Sequence, residues 1–166
     1  MREREYVLGT DEVERQRLGL QHRLWSDAAH ALWRRVGVRP GMTVVDLGCG
    51  PGFTTGDLAR LVGERGRVIG VDASARFVEY VNKQATAQDM PWMEGRVGDV
   101  TRLGEVLEDL VGDSVGDGAD GGEGTVDVVY GRWVLCFVDD PAAVVRDSAR
   151  HLRRGAGVGG MLATQE

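Results

Sequence analysis

The sequence predicts an α/β chain, an open Rossmann-like parallel sheet with helices packed on both faces. Three observations carry that expectation. Short apolar runs alternate strictly with stretches of helical periodicity. Two of those runs, VVD at 44–46 and VIGVD at 68–72, end in an acid. The first is followed by glycines at 48, 50 and 52, in the order strand, turn, helix start.

The elements follow in order. Residues 11–36 read as a helix, broken near Gly19, with an apolar stripe through Leu18, Gln21, Leu24, Trp25, Ala28, Leu32 and Val36. Pro40-Gly41 stops it, and residues 42–47 are apolar apart from Thr43 and Asp46, as a central strand requires. A helix over 54–62 presents Leu58, Leu61 and Val62, and residues 67–72 form a second buried strand. Ser74 is placed to cap the next helix, whose apolar face is Phe77, Val78 and Val81. A third strand is expected over 92–97, then a helix over 101–111 with Leu103, Val106, Leu107, Leu110 and Val111 at helical spacing. Residues 112–124, GDSVGDGADGGEG, form an acidic glycine-rich loop whose acids lack the alternation of a calcium loop. Strand four covers 126–131. Asp140-Pro141 then starts a helix through Ala142, Val145, Ala149 and Leu152, and a strand over 161–165 follows.

Composition narrows the partners. Glycine supplies 25 of the 166 residues, about twice the usual share of roughly 7%, which fits many tight turns. A net charge of −6 argues against a nucleic-acid partner. The first residues lack the apolar core of a signal peptide and no run is long enough to cross a bilayer, so a cytoplasmic protein without a membrane partner is expected. Cys49 and Cys136 stand far apart, with no metal or disulfide spacing, which agrees with a reducing compartment; no metal site is expected.

The glycine turn selects a ligand. A dinucleotide fingerprint needs glycine at its sixth position, but Phe53 and Thr55 occupy the two possible positions here. The pattern is D-x-G-x-G-x-G through Asp46, Gly48, Gly50 and Gly52. An acid at the strand end disfavours a phosphate and suits an ammonium group. Asp72 closes the second strand, where a carboxylate accepts from both hydroxyls of a ribose. Asp99 closes the third, where it either takes an adenine amino group or caps the next helix, and the Val100 N–H is placed for a ring nitrogen. Asp72 alone does not separate this ligand from NAD. His22, His30 and His151 show no partner acid at useful spacing, Cys49 reads as a small buried residue, and no general base is nominated.

VVDLGCGPG, VIGVDAS, GRVGDV and VDVVYGRWVLCFVDDP resemble the successive motifs of class I S-adenosylmethionine-dependent methyltransferases, in the family's order, over roughly residues 40–165. The resemblance implies S-adenosylmethionine as cofactor. Its methionine part would lie on Asp46, Gly48, Gly50 and Gly52, its ribose on Asp72 and Ala73, and its adenine on Asp99 and Val100. Gly131 and Arg132 would stand beside the methionine or the acceptor. Residues 1–39 resemble the N-terminal helical cover of small-molecule members, with Tyr6, Gln21, His22 or Trp25 closing over the cofactor. Residues 40–166 would form the cofactor-binding unit.

The family's sheet runs 3-2-1-4-5-7-6. Here the order 3-2-1-4-5 is expected, without the terminal 7-6 hairpin and with strand five as an open edge for a homodimer. The function implied is in-line methyl transfer to a small molecule. The alternative is a truncated, non-catalytic module for cofactor binding or interaction, and a nicotinamide oxidoreductase is a distant third.

Overall fold

A computed structural model describes residues 12–108, 124–154 and 159–166 of the chain. The element order is α1 (Glu12–Val36), β1 (Thr43–Leu47), α2 (Phe53–Val62), β2 (Arg67–Asp72), α3 (Ala75–Ala87), β3 (Met93–Val97), α4 (Leu103–Val106), β4 (Val128–Arg132), α5 (Pro141–His151) and β5 (Met161–Gln165). All five strands are parallel, in the order β3-β2-β1-β4-β5. This is the expected Rossmann-like arrangement with its expected strand order.

Strand alternation divides the core into two layers. Val44, Val68, Val128 and Tyr130 point to the face covered by α1, α2 and α3, where they meet Trp33, Leu58, Val62 and Val81. Val45, Leu47, Ile69, Val71 and Val129 point to the opposite face, under Leu103, Leu107 and Val144. Central strands buried on both sides need apolar residues at every position, which explains their unbroken runs.

The helix caps match the sequence. The Ser74 hydroxyl accepts from the Phe77 N–H at 3.3 Å, and the Asp140 carboxylate from the Ala143 N–H at 3.0 Å with Pro141 in the first turn. On the edge strand β3, the Asn82 side chain donates to the Gly95 carbonyl and accepts from its N–H, at 3.2 and 2.7 Å. That pair occupies backbone groups which would otherwise be open to another strand.

Four expectations are corrected. The first helix is continuous through Gly19; a Cβ there would lie 3.1 Å from the Phe53 ring, a tight contact, so glycine lets α1 lie close on the start of α2. Its buried face carries Gly19, Ala29 and Trp33, while Leu24 and Trp25 of the expected stripe are exposed. The helix expected over 101–111 is, among the described residues, a 3-10 turn at Val100–Arg102 and the single turn of α4; Leu110 and Val111 lie outside them. In α5 the buried residues are Val144 and Ser148, one step from the predicted stripe, and Val145 is exposed. The predicted loop 112–124 lies outside the described residues except for Gly124, and Tyr6 also lies outside them.

Candidate functional site

The carboxyl ends of β1, β2 and β4 converge on the turn between β1 and α2. Gly48, Gly50 and Gly52 have φ values of +59°, +53° and +87°, a left-handed conformation that favours glycine. Two of them are also forced by space. A Cβ on Gly48 would lie 2.6 Å from a Val134 methyl, and one on Gly52 2.8 Å from a Val81 methyl. Gly70, in the middle of β2, leaves room for Cys49, whose Sγ would stand 2.9 Å from a Cβ there. Cys49 is buried and burial pushes its thiol well up, so it fills space in its protonated form, as the sequence implied.

Two acids flank the turn. Asp46 projects from β1 toward α2 and accepts from the Thr55 hydroxyl at 2.7 Å, with only 2% of its surface exposed. Burial pushes its carboxyl up to about 7, against the Thr55 hydrogen bond and the positive charge of Arg132, which pull it down. Asp72 accepts from the Gly50 N–H at 2.9 Å through one oxygen and from the Ser74 N–H at 2.8 Å through the other. Burial raises its carboxyl and those two bonds oppose the shift. Asp72 thus ties the end of β2 to the middle of the glycine turn, with Ala73 beside it in the chain.

Asp99 and Val100 lie at the end of the neighbouring strand, where the Gly98 N–H donates to the Asp72 carbonyl at 3.0 Å. Of the two roles open to Asp99, capping is observed: it accepts from the Thr101 N–H at 2.9 Å and from the Thr101 hydroxyl at 2.7 Å. Gly131 pairs with Leu47 in the sheet register, so Arg132 is carried one step past it, beside the start of the glycine turn.

One group is brought together only by the fold. His22 and His30 do have a partner acid, supplied by α2: Asp57 Oδ2 is 3.1 Å from His22 Nε2 and 3.4 Å from His30 Nε2. Burial raises the Asp57 carboxyl, but the His22 and His30 contacts and Arg60 outweigh it and hold the carboxyl below its usual range. Arg132 Nη2 lies 3.3 Å from His22 Nδ1, and its guanidinium sits 5.1 Å from the centre of the Trp133 ring. Trp133 has φ +52°, an uncommon conformation for a bulky residue, and its ring meets Trp25 edge-on at 5.8 Å. Trp33 by contrast is a core residue, 1% exposed and edge-on to Tyr130 at 5.5 Å.

A family model described as a methyltransferase domain matches residues 45–158. The chain is 37% identical over 117 residues to an uncharacterized 37.1 kDa protein in transposon TN4556 of Streptomyces fradiae, covering 70% of this chain and 29% of that one. It is 31% identical over 138 residues to the trans-aconitate 2-methyltransferase of Azoarcus sp. (strain BH72), covering 83% of this chain and 44% of that one. A solved structure of geranyl diphosphate methyltransferase in complex with GPP and sinefungin superposes with a TM-score of 0.65 at 28% identity, covering 86% of this chain and 45% of that one. The chain therefore spans less than half the length of each of these relatives.

Proposed function

The chain belongs to the class I S-adenosylmethionine-dependent methyltransferases, and from that premise we propose that it transfers a methyl group from S-adenosylmethionine to a small-molecule acceptor. The observation that carries the reading is the turn itself: three left-handed glycines set between two buried carboxyls, Asp46 and Asp72.

The residues suit each part of the cofactor. Asp46 is a buried acid with its carboxyl pushed up to about 7, so a neighbouring ammonium offsets what its ionised form loses in burial. Gly48, Gly50 and Gly52 leave backbone rather than side chains along the methionine portion. Each Asp72 oxygen already accepts one backbone N–H and has a second lone pair for a ribose hydroxyl, with Ala73 alongside. Asp99 and the Val100 N–H address the adenine edge, Asp99 serving at once as cap and acceptor. Gly131 and Arg132 border the amino-acid end. Residues 1–39 act as a cover and residues 40–166 as the unit that holds the cofactor.

When bound, the cofactor supplies an electrophilic methyl carbon that leaves a sulfonium as a nucleophile attacks in line. The chain contributes alignment and the exclusion of water. His22 is not assigned as a general base, since both of its ring nitrogens are occupied, by Asp57 and Arg132. The relatives' named substrates, trans-aconitate and geranyl diphosphate, support a small-molecule acceptor. Free Cys49 and Cys136 support a reducing, cytoplasmic setting, and no helix among the described residues is long and apolar enough to cross a membrane.

The test is incubation with methyl-labelled S-adenosylmethionine and a panel of tricarboxylates and isoprenoid diphosphates. Label is expected in at least one acceptor. Cofactor binding with no transfer to any of them would contradict the enzymatic reading and leave a binding module.

A further inference from the structure

Three elements distant in sequence meet at one corner of the site. Asp57 stands on α2, His22 on α1, and Arg132 at the end of β4. A guanidinium only donates hydrogen bonds. His22 Nδ1, 3.3 Å from Arg132 Nη2, is therefore the bare nitrogen, and Nε2 carries the proton given to Asp57 at 3.1 Å. One tautomer satisfies both contacts. The imidazole is held further by Phe53, stacked at 5.8 Å and 22°, and its side chain is only 12% exposed.

The chain of contacts ends on an unmet donor. Arg132 Nη1 is buried and has no hydrogen-bond partner. Leaving a buried charged donor unpaired costs a few kcal/mol, so a fold that keeps Nη1 in place has an anion to gain there. On the neighbouring strand, opposite Tyr130, stands Asp46, a buried carboxyl whose titration responds to the Arg132 charge, although the two are not hydrogen-bonded to each other. A carboxyl and a guanidinium at the carboxyl ends of neighbouring strands match the two ends of a zwitterion: the acid suits its ammonium, the guanidinium its carboxylate.

We propose that Asp57 and His22 are positioning residues that hold the Arg132 guanidinium so that Nη1 receives the carboxylate at the amino-acid end of the cofactor. The inference rests on the cofactor reading above. It adds that α1 contributes to recognition through His22: docking of this helix onto α2 through Asp57 sets the direction in which Arg132 points.

The test compares S-adenosylhomocysteine with its decarboxylated analogue, which differs only in lacking that carboxylate, by calorimetry on the full chain. A charge-assisted hydrogen bond predicts a preference of about 10- to 100-fold for S-adenosylhomocysteine. Arg132→Met should abolish the preference, leaving the two ligands bound alike. His22→Phe keeps a ring on Phe53 but removes the acceptor, and should cut the preference several-fold. His22→Gln keeps both an acceptor and a donor, and should restore most of it. A purely structural role would weaken both ligands equally in His22→Phe, and that result would overturn the proposal. Equal binding of both ligands by the unmodified chain would also overturn it and leave the cofactor reading standing. Binding of neither would overturn both.

Discussion

The glycine turn and the Arg132 corner lie side by side but are built in different ways. The turn comes from one continuous stretch, Asp46 to Thr55, closed by Asp72 from the adjacent strand, and its shape depends on backbone conformation and missing side chains. The corner is assembled from long side chains on three elements, with His22 and Asp57 35 positions apart and His22 and Arg132 110 positions apart. A backbone-built site is stiff and fails abruptly. A side-chain relay degrades in steps, because each member can be replaced by another acceptor or donor.

Substitutions in the turn should therefore have the largest effects. Gly48→Ala places a Cβ 2.6 Å from Val134 at a φ of +59°, and a loss of about 3 kcal/mol is expected in chemical denaturation, with cofactor binding lost. Adding Val134→Ala removes the collision but not the backbone cost, so about half the stability should return. Full recovery would show that crowding alone selects glycine. Asp72→Ala comes next. It strips the acceptor from the Gly50 and Ser74 N–H groups, which should cost about 2 kcal/mol of stability and on the order of 100-fold in S-adenosylmethionine affinity. Unchanged affinity would remove Asp72 from the ribose site.

Asp46→Asn separates stability from binding. The folded chain holds the Asp46 proton to about pH 7, against 3.8 as the ordinary value. Across that window the folded state binds more protons than the unfolded one, so stability falls as pH rises and levels off above about 7. Asp46→Asn should flatten that part of the stability profile and raise the denaturation midpoint at pH 8, yet weaken S-adenosylmethionine binding about tenfold. A lower midpoint at pH 8 would mean the ionised carboxylate stabilises the fold. Trp25→Ala, at the rim of the corner, should have the smallest effect. Its ring is half exposed and touches Trp133 edge-on, so about 1 kcal/mol or less is expected.

The same contrast governs what could be read in advance. The strands, the order of elements, the Ser74 and Asp140 caps and the whole glycine turn follow from local rules: apolar runs, capping side chains, and glycines where φ is positive. The Asp57–His22–Arg132 contacts follow from none, because no spacing along the chain connects α1, α2 and β4. The same cause shifted the apolar stripe of α1. This helix buries Gly19 against Phe53 and turns His22 and His30 toward Asp57, so its inner face is partly polar while Leu24 is exposed. In α5 a buried Ser148 beside Val144 displaces the stripe in the same way. One signal was available: two histidines eight residues apart, at helical spacing, fall on one face of a helix and call for an acid opposite.

An acid-flanked glycine turn suits a sulfonium amino-acid nucleoside rather than a dinucleotide. Calorimetric titration of the chain with S-adenosylhomocysteine and, separately, with NAD distinguishes the two ligands. Saturable binding of S-adenosylhomocysteine is expected, with a Kd on the order of micromolar, and no heat of binding with NAD. Tight NAD binding without S-adenosylhomocysteine binding would contradict that selectivity.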